Sequence, residues 1–166
     1  MAASAAPIRL SVPGTLRYRG IAVRLVAEAA RLVSGSARHD PKDPFANDVR
    51  DPFDMAVVSA FSEIFNNVAI HAYQRKGDGT IEISITPTER ELLIEMTDHG
   101  TTFDIDGVAP IPSDLDDASL PEGGMGIHIA KTMLDEMTYQ PGPPNQWRLR
   151  KVLPTDAVSN GRIDRG

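Results

Sequence analysis

The chain has 166 residues, 23 acidic and 17 basic, with a net charge of −6, 41% hydrophobic residues and no cysteine. That is enough for one domain around one core. The acidic balance, without a Lys/Arg block, argues against nucleic acid or an anionic membrane held by bulk electrostatics. The missing cysteine excludes a disulfide framework, a thiolate nucleophile, a Cys-type zinc site and an iron–sulfur cluster.

In chain order, Met1 to Pro7 reads as a flexible N-terminus with neither the basic nor the apolar region of a signal peptide. No apolar run approaches the ~20 residues of a membrane span, so the expectation is a cytoplasmic protein. Ile8 to Val12 reads as a short strand, and Tyr18 to Val33 as a helix with Ile21, Leu25, Ala29 and Leu32 at 3–4 spacing. Ser34 to Asp54, broken by Pro41, Pro44, Pro52 and several Asp, is a long loop. From Phe53, the residues Val57, Phe61, Ile64, Phe65, Val68 and Ala72 make the strongest helical stripe of the chain. Gly77-Asp78-Gly79 ends it, and the period then switches to two. Ile81, Ile83 and Ile85, then Leu92, Ile94 and Met96, predict an antiparallel hairpin turning at Pro87 to Arg90.

The Gly-, Pro- and Asp-rich stretch from 99 to 124 is too long for an idle loop. After it, Ile127, Ala130, Met133, Leu134 and Met137 predict a helix, followed by Pro141 to Pro144, a last strand around Gln146 to Leu153 and a flexible tail from 154 to 166. The domain proper spans 8–153. Helices with one apolar stripe beside hairpins predict an α/β two-layer sandwich, its mixed, mainly antiparallel sheet covered by helices on one face.

Three groups of residues bear on chemistry. Glu63, Asn67 and His71 stand at i, i+4 and i+8, one row along a flank of the strong helix. Oxygen donors at that spacing suit Mg²⁺, which keeps waters and phosphate oxygens for its remaining positions; a solvated helix flank has the same spacing. Asp98 at a strand end can accept from an exocyclic amine, with Gly100 admitting a flat ring, and an ordinary Asp-x-Gly turn is the plainer reading. Gly123, Gly124 and Gly126 at a helix start offer either a phosphate cradle or a hinge, and no Walker Lys-Ser/Thr follows them. Arg17, Arg19 and Arg24 at the first helix either dock an acidic partner or form a solvated basic face.

Taken together, Glu63-x-x-x-Asn67-x-x-x-His71-Ala72-Tyr73, Asp98-x-Gly100-x-x-Phe103-Asp104 and Gly123-Gly124-Met125-Gly126-Ile127 resemble the GHKL (Bergerat-fold) ATP-binding domain of gyrase, histidine kinases and MutL. The branch most similar is that of the bacterial anti-sigma factor serine kinases, over roughly residues 53 to 152. The resemblance implies that Asn67 ligates Mg²⁺, Asp98 binds the adenine amino group and Gly100 shapes the base pocket. It implies that Gly124, Met125, Gly126 and Ile127 contact the nucleotide, that residues 101–122 form an ATP lid and that Glu63 is the catalytic base. The implied activity is transfer of the ATP γ-phosphate to a serine of an anti-anti-sigma (STAS) partner, with sequestration of a sigma factor. A homodimer is also implied. The alternative is an ATP-dependent binding switch without catalysis, against which Glu63 speaks, because binding alone needs no base. His71 is read as a packing or hydrogen-bonding residue rather than a catalyst. Two stretches depart from the family pattern, the long 34–54 loop and the Pro-rich 141–145.

Overall fold

The computed structural model describes residues 6–36, 51–74, 78–108 and 124–155. The elements are β1 (Ile8–Pro13), α1 (Arg19–Ser34) after a 3-10 turn, α2 (Pro52–Asn67) continued by a π turn (Val68–Ala72), β2 (Thr80–Pro87), β3 (Glu91–Asp98), α3 (Met125–Met133), β4 (Glu136–Gln140) and β5 (Asn145–Val152). The strands form one sheet in the order β1-β2-β3-β5-β4. Every pairing among the described strands is antiparallel, a simpler sheet than the mixed one expected.

The alternation seen in the sequence becomes the two faces of this sheet. Ile81, Ile83, Ile85, Leu92, Ile94, Met96, Trp147 and Leu149 are buried on the inner face. Arg9, Glu82, Glu95 and Arg148 stand exposed on the outer one. Val57, Phe61, Ile64 and Phe65 of α2, with Ala22, Val26, Ala29 and Ala30 of α1, complete the core. The helical stretch Pro52–Ala72 has 21 residues, long and apolar enough by composition to cross a membrane, and more than half of its most apolar part is buried inside the domain. Burial of that extent is what a core helix shows.

Local chemistry starts and stops these helices. Asp51 caps α2 by accepting from Phe53 N (2.9 Å) and Asp54 N (3.3 Å), with Pro52 in the first turn where its missing N–H costs nothing. α1 ends at Gly35, whose φ of 70° suits a residue without Cβ.

Beyond the π turn, Tyr73 locks the helix end to the sheet. Its hydroxyl donates to Thr80 O (2.8 Å) and accepts from His99 N (3.0 Å). Its ring lies against the backbones of Gly14 and Gly79, where any Cβ would overlap it. This one side chain ties the ends of β1, β2 and β3 to α2, and so sets Asp98 beside the helix.

The expected last helix is shorter than its apolar pattern. α3 stops at Met133, and Met137 lies on β4 opposite Leu149, with Tyr139 opposite Trp147. Asp135, whose carboxylate accepts from Val152 N (2.7 Å), breaks the helical run, and period two takes over. The Pro-rich 141–144 segment then joins β4 to β5 with Gln140 opposite Gln146, so the last strand is paired on both sides.

Candidate nucleotide site

A cavity of about 120 Å³ opens where the end of α2, the end of β3 and the β4–β5 turn meet. Asn67, His71, Asp98, Phe103, Tyr139 and Trp147 line it. The sheet register places Asn145 directly opposite Asp98. Asp98 is only 2% exposed, yet its carboxylate is well supplied with donors. Asp98 Oδ1 accepts from Gly100 N (2.9 Å) and from Asn145 Nδ2 (2.9 Å). Neither donor goes to Oδ2, which leaves that oxygen for a donor from a ligand, such as an exocyclic amine.

The aromatic wall is continuous. Phe103 has ring centroids within 6.4 Å of His71, 6.4 Å of Tyr139 and 6.1 Å of Trp147, and the Tyr139 and Trp147 rings are 4.3 Å apart. Such rings suit the face of a planar heterocycle. His71 is exposed, with its ring beside that of Phe103.

Asn67 rather than Asn66 lines the cavity, as the four-residue step from Glu63 predicts. Among the described residues Asn67 Nδ2 is buried without a hydrogen-bond partner, and the other atom of the same amide, Oδ1, is the hard donor that Mg²⁺ prefers. Among the described residues no group of three or more His, Asp or Glu could hold a metal ion. Mg²⁺ keeps several waters and phosphate oxygens among its ligands, so a single Asn67 oxygen is a fitting protein contribution.

Glu63 is outside the cavity wall, further toward the N-terminus of α2, and meets the start of α3. A Cβ on Gly126 would overlap Glu63 Oε2 and approach Glu63 Cβ to 3.3 Å. Gly124, with φ 91°, precedes α3 without a side-chain cap bond among the described residues, and the positive end of the helix dipole lies at this place. Gly124 also packs closely on Val108, whose Cγ1 a Cβ would meet at 2.8 Å. Ile127 is 1% exposed in the core, which leaves only its backbone to touch a ligand.

At Gly100 the steric demand comes from the protein. A Cβ would stand 2.5 Å from Ala72 O, which accepts from Thr101 N at 2.9 Å. The close approach of Gly100 to the α2 end stands beside its expected part in shaping the base pocket. Of the expected lid, residues 101–108 are described, and residues 109–122, with Gly123 and the 37–50 part of the long loop, lie outside the described residues. Arg17 and Arg24 are exposed on the turn before α1 and on α1, while Arg19 is half-buried with Nε unpartnered.

Residue-level reading missed Asn145, Tyr139 and the cavity-lining role of Trp147. The available signal was the alternation of Met137 and Tyr139 just before Pro141-Gly142, which marks a strand and a turn.

The sequence profile of the histidine kinase-like ATPase domain matches residues 16–151. A serine-protein kinase RsbW of Staphylococcus aureus (strain bovine RF122) is 32% identical over 158 residues, 92% of this chain and 91% of that protein. The serine-protein kinase RsbW of Bacillus velezensis is 26% identical over 97% of this chain and 94% of its own length. An anti-sigma F factor of Clostridium botulinum (strain Eklund 17B) is 29% identical over 74% of this chain and 82% of its own. With that profile spanning residues 16–151, from the turn before α1 to the end of β5, the chain belongs to the histidine kinase-like ATPase domain family.

Proposed function

We propose that this chain is a cytoplasmic, Mg²⁺- and ATP-dependent protein-serine kinase and anti-sigma factor. It phosphorylates a serine of a STAS-domain antagonist and sequesters a sigma factor while that antagonist is not available. The carrying observation is Asp98, buried at the cavity with one oxygen saturated by protein donors and the other left for an adenine amino group. The relatives named serine-protein kinase and anti-sigma F factor support the same reading.

Within it, Asn67 holds Mg²⁺, which when bound neutralises charge on the phosphate oxygens. The α3 start, from Gly124 to Ile127, receives phosphates on backbone N–H groups. Glu63, against that start, accepts the proton of the partner's serine, a role that geometry permits because Gly126 has no side chain. β1 is an edge strand, and its outer edge supports pairing with a second copy as the route to a homodimer.

The test is transfer of labelled γ-phosphate from Mg-ATP to a purified STAS-domain antagonist, with binding measured alongside. Wild type should label a serine. Glu63→Ala should bind ATP and antagonist within about twofold of wild type while transfer drops by about 10²–10⁴, the range for removal of a general base. A wild type that binds both and labels none would instead be an ATP-dependent binding switch.

A further inference from the structure

We infer that Tyr139 and Asn145 form a hydrogen-bond relay that holds Asp98 as a pure acceptor, making them the positioning residues for base discrimination. The inference rests on the reading of this cavity as a base pocket.

The polarity of every link is fixed by groups that cannot reverse. Gly142 N–H, which can only donate, bonds Asn145 Oδ1 at 3.1 Å, and Gly100 O, which can only accept, bonds Asn145 Nδ2 at 3.0 Å. The amide therefore has one orientation, with Nδ2 on Asp98 Oδ1 at 2.9 Å. Phe103 N–H likewise donates to the Tyr139 oxygen at 2.9 Å, so the Tyr139 proton is left for Asn145 Oδ1 at 3.2 Å. Protons thus point from Phe103 to Tyr139 to Asn145 to Asp98, and the relay ends on a carboxylate oxygen already given a second proton by Gly100 N (2.9 Å).

Two consequences follow for the ligand. Asp98 is kept with its second oxygen as the acceptor, so a ring edge presenting an amine is favoured and one presenting a keto oxygen faces a like lone pair. The same hydroxyl that orients Asp98 through Asn145 also pins the Phe103 backbone, so the polar edge and the aromatic wall are set by one atom. Asn145 is 2% exposed, which leaves no water to replace a lost donor cheaply.

The experiment measures binding of ATP and of inosine triphosphate by calorimetry. The two differ in the 6-amino group, which inosine triphosphate replaces by a keto oxygen. Full-length wild type, Tyr139→Phe, Asn145→Asp and the double variant are compared, each with its nucleotide-free melting temperature. Wild type should prefer ATP. Asn145→Asp, nearly isosteric, sets a second carboxyl against Asp98 so that the buried pair shares a proton and Asp98 is no longer held as a pure acceptor; it should cut that preference by about tenfold or more, and Tyr139→Phe, which keeps the ring, by about three- to tenfold. The double variant should be no worse than Asn145→Asp alone, because Tyr139 acts through Asn145. Single variants that lower the melting temperature yet keep the wild-type ratio of affinities would make both residues packing elements and overturn the relay. A wild type indifferent to the two nucleotides would overturn the base-pocket reading itself, an outcome separate from any behaviour of the variants.

Discussion

One absent methyl group decides where Glu63 sits. At Gly126 a Cβ would overlap Glu63 Oε2, the far end of a side chain free to swing, whereas at Gly100 it would meet the Ala72 backbone at 2.5 Å. The two glycines should therefore respond differently to the same substitution. Gly126→Ala adds a good helix former inside α3, worth up to about 1 kcal/mol, so its melting temperature should hold or rise. Its transfer rate should nevertheless fall by about ten- to a hundredfold as the carboxylate is pushed from its place, with ATP affinity close to wild type. Gly100→Ala should lose stability first, because a backbone carbonyl cannot swing aside. Calorimetric melting beside steady-state transfer would separate the two. Loss of ATP affinity in Gly126→Ala, in proportion to the lost rate, would mean that this glycine serves the phosphates and not Glu63.

The joint between α1 and α2 depends on a buried carboxyl. Asp54, 1% exposed, accepts from the Ser36 hydroxyl through Oδ2, while Oδ1 has no partner among the described residues. Burial raises its pKa above the ordinary 3.8, and Asp51 pushes the same way; Ser36, Ser34 and Arg31 pull it down without reversing the shift. A folded pKa above the unfolded one means that this group's contribution to stability is full below about 3.8 and is lost as pH rises through the folded value. Each tenfold change in proton affinity is about 1.4 kcal/mol. Asp54→Asn, which cannot ionise, should thus gain on wild type as pH is raised from 4 to 7, read as the difference of melting temperatures; a difference that is flat or shrinks would remove burial as the governing cause.

Joints of this kind are where sequence reading falls short at the scale of elements. The α2 stripe and the isoleucine alternation of β2 are periodic over whole elements and are legible as written. β4 is not, because Leu134 and Met137 continue the spacing of α3 by coincidence, and only Asp135 and the partner strand show the change of period. The site divides in the same way. Glu63, Asn67, Asp98 and the glycines stand in local motifs, but Asn145 is 47 residues from Asp98 and becomes its neighbour only through the β3–β5 register.

For the molecule as a whole, the site is a seam. Asn67 and His71 come from the helical layer, Asp98 and Asn145 from the sheet, Phe103 from the loop after β3, and, in the function proposed, the phosphate end would come from α3. A nucleotide spanning these elements ties the two layers together, so its binding energy should appear as global stability. At about 100 times its Kd, Mg-ATP should stabilise the fold by roughly 2.7 kcal/mol, a rise in melting temperature of about 5–10 °C for a domain of this size. The chain reports this at two places. Its one tryptophan, Trp147, is 2% exposed and lines the cavity, and its fluorescence follows the seam, while far-UV circular dichroism follows the helices. Both transitions should move together and by the same amount. A shift in fluorescence alone would mean that ATP tightens the aromatic wall without joining the layers, and no shift in either would mean that the site is degenerate or that its affinity for nucleotide needs the partner protein.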